Sequence, residues 1–142
     1  MEISALTRSV VKRSHAIIAP DGYINSNVPG WSDCIVNVII NERMGAEFCQ
    51  TLITATATTK LTGNTEASQI FFYVIKGKAS VKIDNDKKEI TQGQFVYVPV
   101  GKKYEFEKFK KDTQILTFHK VYEKLEGYAI PKTIFGDAAK VK

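Results

Sequence analysis

Metal binding and nucleophilic catalysis in a chain of this size rest on histidines, cysteines and carboxylates, and here the supply is thin. Among 142 residues there are two histidines, His15 and His119, two cysteines, Cys34 and Cys49, and 15 aspartates and glutamates. A zinc, manganese or iron site needs three or four such donors converging on one point. His119 shares a strand-like face with Ile115, Thr117 and Val121, the place of a structural histidine, and His15 reads as a surface or interface residue. The cysteines show no Cys-x-x-Cys spacing and sit in apolar segments, which predicts free buried thiols. Both histidines are far from them in sequence, so no Cys/His or Ser/His nucleophile is visible. The triplet Asp84-Asn85-Asp86 lacks the glycine and distant glutamate of a calcium loop and reads as a hairpin turn.

The most informative stretch is Gly93-x5-Pro99-x-Gly101-x2-Tyr104-x3-Lys108. Gly93 opens a strand after a tight turn, Pro99 ends it, and Gly101 lets the chain reverse. The next strand then carries Tyr104 inward. This pattern resembles the second motif of the cupin superfamily, Gly-x5-Pro-x-Gly-x2-His-x3-Asn, with Tyr104 at the histidine and Lys108 at the asparagine. The first cupin motif is Gly-x5-His-x-His-x(3 or 4)-Glu-x6-Gly. Anchored on Gly77, it puts Ile70 at the glutamate and the two histidines at Asn64 and Glu66, or at Gly63 and Thr65 with the longer spacer. The resemblance implies that none of the four metal ligands is present. Candidate pocket residues are Tyr104 and Glu66, with Gln69 and Tyr97 if their side chains turn inward.

The elements that hold these residues read as strands. Short runs rich in Val, Ile, Phe, Tyr and Thr recur at 35–40, 48–59, 70–75, 79–84, 88–90, 94–98, 103–106 and 114–122, with no long amphipathic helix between them. In the longest run, Phe48, Gln50, Leu52 and Thr54 alternate with Cys49, Thr51, Ile53 and Ala55. Many short strands without helices indicate an all-β sandwich or small barrel; with the motif, the expected fold is the cupin double-stranded β-helix, a jelly-roll barrel. Its core is expected to hold Phe72, Val74, Val81, Ile83, Val96, Val98 and Phe106.

The bulk numbers exclude other classes. The length suits one domain, with 44% hydrophobic and 25% charged residues. The apolar runs are too short to span a bilayer, and the start lacks a signal-peptide pattern, so a cytoplasmic protein is expected. The net charge of +5 comes from lysines interleaved with Asp84, Asp86, Glu89, Glu105 and Glu107. That mixture argues against the unbroken basic face of a nucleic-acid binder. The expected division is an N-terminal arm and loop over 1–32, a barrel over 33–122, and a connector-like tail over 123–142.

A narrower resemblance runs from about Arg8 to Tyr128. The opening Thr7-Arg8-Ser9-Val10-Val11-Lys12-Arg13, then His15-Ala16-Ile17-Ile18-Ala19-Pro20-Asp21-Gly22, is similar to that of (S)-ureidoglycine aminohydrolases, bicupin proteins of allantoin breakdown. Pro29-Gly30-Trp31, Met44-Gly45-Ala46 before Phe48, and Phe72-Tyr73-Val74-Ile75-x-Gly77 resemble the same family, and the tail resembles the connector between its barrels. In that family manganese and the catalytic residues belong to the second barrel, and the first has lost its ligands. The resemblance therefore implies a metal-free, N-terminal, structural cupin that carries no cofactor itself. Two other readings stand beside it: a free-standing small-molecule-binding or sensory cupin, and metal-free acid/base chemistry through Tyr104 or Glu66. Homo-oligomerisation, at least to a dimer, is expected through the 10–18 segment, the Pro29-Gly30-Trp31 loop and the tail near Ile130 and Ile134. Neither nucleic acid nor membrane is an expected partner.

Overall fold

Alternation of apolar and polar residues builds a curled antiparallel sheet around one core. The computed structural model describes residues 10–12, 15–19 and 24–141. The resembling segments Thr7-Arg8-Ser9, Arg13 and Pro20-Asp21-Gly22 lie outside the described residues.

A short hairpin pairs β1 (Val10–Val11) with β2 (Ala16–Ile17). Then come β3 (Ile24–Ser26), β4 (Trp31–Ile40), a 3-10 turn at Glu42–Met44, and β5 (Cys49–Asn64). The barrel continues with β6 (Ser68–Lys76), β7 (Lys78–Ile83), β8 (Asp86–Thr91), β9 (Gln94–Val98), β10 (Lys103–Glu107) and β11 (Gln114–Val121). Last is β12 (Ile134–Asp137). The main sheet runs β12-β9-β6-β11-β5-β10-β7-β8, with β4 on β5 and β3 on β4.

β5 is the hinge of this architecture. Residues 49–54 pair with β11, and residues 61–64 pair with β10. The threonine-rich stretch between them turns the corner from one side of the barrel to the other. There β4 carries a bulge between Ser32 and Cys34, and Asp33 adopts φ +55. The Asp33 carbonyl accepts hydrogen bonds from the hydroxyls of Thr56 and Thr59, so the bent backbone stays satisfied.

Inward positions of the barrel strands are mostly apolar, with Thr51, Thr59 and Thr117 the buried polar exceptions on β5 and β11. Phe72, Val74, Val81, Val96, Val98 and Phe106 are fully buried and Ile83 nearly so, as the alternation predicts. Rings cross the barrel from β6 to β10, with the centroids of Phe72 and Phe106 4.5 Å apart. Gly77 makes the tight β6–β7 connection: its φ is +91, and an added Cβ would lie 2.7 Å from the Thr113 backbone.

The boundaries differ from the sequence expectation at both ends of the barrel. Within the expected arm and loop, β3 and the start of β4 extend the sheet over residues 24–26 and 31–32, leaving only 27–30 as a connecting turn. The tail is not wholly unpacked either: β12 pairs with β9, and Phe135 packs against the core. Gly136 makes that pairing possible, since an added Cβ there would sit 2.3 Å from the Phe95 ring. Cys34 and Cys49 are free but half-buried, not buried: Cys34 adjoins the β4 bulge opposite Ala55, and Cys49 opens β5.

Candidate functional site

The positions that the cupin motifs would fill with ligands come together in space, but their side chains are of another kind. β10 presents Tyr104 inward, in register with Gly63 on β5 and Ile83 on β7. The two possible spacings of the first motif are resolved by burial. Asn64 and Glu66 are exposed, and Glu66 sits in the β5–β6 turn at φ +51 with its amide bonded to the Asn64 side chain. Gly63 and Thr65 are the inward pair, Thr65 being 4% exposed. The four positions are therefore Gly63, Thr65, Ile70 and Tyr104.

Each of these is already engaged. The Tyr104 hydroxyl accepts a hydrogen bond from the Trp31 indole Nε1–H at 3.0 Å. Its ring packs against Phe72 at 5.4 Å and lies over Gly63, where an added Cβ would fall 2.5 Å from the phenolic oxygen. Burial pushes the phenol above its ordinary pKa, with the Trp31 hydrogen bond pulling the other way. The Thr65 hydroxyl donates to the Pro99 carbonyl at 2.7 Å and accepts from the Lys102 amide at 2.9 Å. Ile70 is buried and apolar.

Manganese does not fit this set. A hard divalent cation wants carboxylate, imidazole or free carbonyl donors, and these positions offer a methylene, a committed hydroxyl, a sec-butyl group and a hydrogen-bonded phenol. Among the described residues no three histidine, cysteine or acidic side chains are grouped to hold a metal.

The other expected pocket residues are elsewhere. Glu66 is on the surface turn. Gln69 and Tyr97 face outward, since Ile70 and Val98 take the inward positions of their strands, and the Tyr97 hydroxyl donates to the Gln69 side-chain oxygen at 2.6 Å. Of the four candidates only Tyr104 faces the barrel. A depression of about 510 Å³ borders it, lined by Asn64, Lys82, Asp84, Lys103 and Glu105 among others. Asp84 there is held below the usual carboxylate range by the Lys103 backbone N–H and by Lys102.

Sequence distance concealed one arrangement. Cys49, on β5, lies directly across from His119 on β11, and His119 lies across from Ile70 on β6. The expectation that neither cysteine has a basic neighbour is thus corrected: β5 and β11 are far apart in sequence but adjacent in the sheet. One row deeper, the hydroxyls of Thr51 and Thr117 hydrogen-bond to each other inside the barrel. The alternation Cys49-x-Thr51-x-Ile53 and Ile115-x-Thr117-x-His119 carried that signal. The pair is not an activated nucleophile. Burial and then Glu42 push the Cys49 thiol up, and burial pushes the His119 imidazole down against the opposing pull of Glu42. Both are neutral near pH 7.

The motif positions, the jelly-roll topology and a match of the cupin domain family to residues 60–118 agree. The chain carries a cupin domain. Its sequence is 28% identical over 142 residues to an (S)-ureidoglycine aminohydrolase of Escherichia coli, covering 95% of this chain and 53% of that protein. A probable (S)-ureidoglycine aminohydrolase of Oryza sativa is 24% identical, covering 98% of this chain and 45% of the relative. Among solved structures, the E. coli protein Ylba superposes with a TM-score of 0.86 at 27% identity, covering 96% of this chain and 57% of that one. The cupin thus spans about half the length of the curated relatives it matches. No helix among the described residues is long and apolar enough to cross a membrane.

Proposed function

We propose that this cupin is a metal-free structural half of an (S)-ureidoglycine aminohydrolase-like assembly in allantoin breakdown. It serves packing and oligomerisation and is not catalytic alone. One observation carries the reading: the four ligand positions hold Gly63, Thr65, Ile70 and Tyr104, and the two polar side chains among them are spent on Trp31, Pro99 and Lys102. The parent reaction, hydrolysis of ureidoglycine to ureidoglycolate and ammonia, needs an activated water, which a bound metal supplies in many hydrolases. In this reading manganese belongs to the second, catalytic barrel of tandem relatives, and this chain corresponds to the first. Its two free cysteines suit a cytoplasmic setting.

The test is an ammonia-release assay on ureidoglycine with the 142-residue chain, with and without manganese. The expected rate is the spontaneous one. Mixing with a catalytic barrel of the family should raise that barrel's stability or yield of assembled enzyme. Metal-dependent turnover by the chain alone would overturn the reading.

A second reading, a small-molecule-binding cupin, is favoured by the polar row of Cys49 and His119 above Thr51 and Thr117. Two hydroxyls that bond each other leave one hydrogen over, which a polar ligand could accept.

A further inference from the structure

Strands β4, β5 and β11 bring a polar row to one end of a mostly apolar barrel. β4 carries a bulge between Val38 and Ile40, after which Ile40 pairs with Gln50, an outward position. Ile40 accordingly lines an outer depression together with Phe48. Alternation then sets Asn41 on the same face as Cys49, which points inward beside His119. The row across the barrel mouth is Asn41, Cys49, His119 and Ile70. Within it, Asn41 Oδ1 is buried without a hydrogen-bond partner, and among the described residues no other buried side-chain nitrogen or oxygen is left so. Its side chain is not engaged in capping the 3-10 turn that follows it. An orphaned buried acceptor is unfavourable and calls for a donor. Glu42, the first residue of that turn, adds a negative charge that acts on both Cys49 and His119. Solvent reaches the row, since His119 is exposed and Cys49 half-buried.

The geometry points to this mouth as a binding site for a small primary amine, whose ammonium N–H groups donate to Asn41 Oδ1 and the His119 ring with Glu42 as the counter-charge. Three observations select that ligand. The row offers acceptors: an amide oxygen without a donor, and an imidazole that is neutral near pH 7 and so keeps one unprotonated nitrogen. The charge that reaches the row is negative, which attracts a cation and repels a carboxylate or phosphate. Beneath the row, the hydroxyls of Thr51 and Thr117 share one hydrogen and leave one over, so an oxygen beside the amine finds a donor. A metal ion is a poorer match, because among the described residues no three histidine, cysteine or acidic side chains are grouped to hold one. The site is also distinct from the cupin ligand positions Gly63, Thr65, Ile70 and Tyr104, of which Ile70 alone belongs to this row.

The inference rests on the small-molecule reading given above, and its test is independent of the ammonia assay. The full chain is titrated with methoxyethylamine at neutral pH while the side-chain amide signals of Asn41 and the ring protons of His119 are followed by NMR. Both sets should shift saturably at millimolar amine. The trimethylated analogue, with the same charge and no N–H, should leave them in place, as should potassium chloride at equal concentration. Asn41→Leu, similar in size but without an acceptor, should weaken binding about tenfold or more, the loss expected for a hydrogen bond to a charged group. Glu42→Gln, at an exposed residue, should weaken it about two- to fivefold, as for a solvated charge pair; it serves as the second variant if Asn41→Leu fails to fold. No saturable shift at these two residues overturns the inference. So do equal shifts with the trimethylated analogue or potassium chloride, or unchanged affinity in either folded variant. Saturation by neutral dimethoxyethane with the same affinity would overturn the amine and leave the small-molecule reading standing.

Discussion

Trp31 and Tyr104 are 73 residues apart in the chain, yet the indole N–H of one is bonded to the phenolic oxygen of the other at 3.0 Å. The contact joins the start of β4 to the inward position of β10 that the cupin motif reserves for a ligand. It depends on a third residue. Gly63 has no side chain, so the Tyr104 ring can lie flat across β5 and reach the indole. A metal site needs an open centre at this spot, and the indole–phenol pair closes it.

Removing the indole donor should leave a buried phenol unpaired. Trp31→Phe is expected to cost about 1–3 kcal/mol, the usual penalty for an orphaned buried polar group plus some lost packing. It should also raise the Tyr104 pKa further, since the hydrogen bond now opposes the effect of burial. A folded pKa above the unfolded one means stability that is complete below about pH 10 and lost as pH rises through the folded value. Urea melts and ultraviolet titration of tyrosinate check both parts. An unchanged midpoint would mean that the bond contributes nothing.

Restoring one ligand should not restore a site. Tyr104→His brings back a single imidazole, but Gly63, Thr65 and Ile70 still supply no donor for manganese. Elemental analysis after manganese loading and desalting should find well under one equivalent in both the unmutated chain and Tyr104→His. Near-stoichiometric metal in either would show a donor set that the four positions do not reveal.

The core should respond as a packed barrel does. Phe72 touches Tyr104 and Phe106 from across the interior and is fully buried. Phe72→Ala and Phe106→Ala should each cost about 3–5 kcal/mol. Both substitutions leaving the thermal midpoint in place would contradict the observed strand facing.

The strands were legible because side-chain alternation is local. All eight expected runs fall on β4 to β11, and the inward set of β5 is the one containing Thr51, Ile53 and Ala55. The motif spacing located Tyr104 and Ile70 for the same reason, since the turns at Gly93 and Gly101 set the facing of the strand residues after them. Facing at strand ends was not legible: Glu66 reads as a histidine equivalent on one spacing, and only the turn at φ +51 takes it out of the barrel. Gln69 and Tyr97 required knowing that Ile70 and Val98 point inward. Pairings between distant strands leave no local trace, so Trp31 against Tyr104 and Cys49 against His119 emerge only from the folded sheet. The short β3 and β12 have too few alternating residues to stand out from loops.

His119 gives a prediction whose sign can be worked out. It lies at the open end of the barrel interior, across from Cys49 and Ile70, with Glu42 the carboxylate that acts on it. Although the residue is largely exposed at the barrel mouth, the packing around its ring lowers its pKa, and Glu42 only partly opposes this. In the unfolded chain the imidazole titrates near its ordinary value of about 6.5. Between that value and the lower folded one, the unfolded state binds more protons, so stability falls as pH falls. The neutral imidazole's contribution is complete above about pH 6.5 and lost as pH drops through the folded pKa. Thermal midpoints should therefore decline on acidification through this window before carboxylates begin to titrate. His119→Gln, which keeps a polar side chain without a titrating ring, should flatten that decline, whereas Glu42→Gln should steepen it by removing the compensating charge. Proton resonances of the His119 ring measure the midpoint directly. A ring that titrates at or above about 6.5 would mean that the barrel end solvates it fully, and the pH dependence of stability would have to come from other groups.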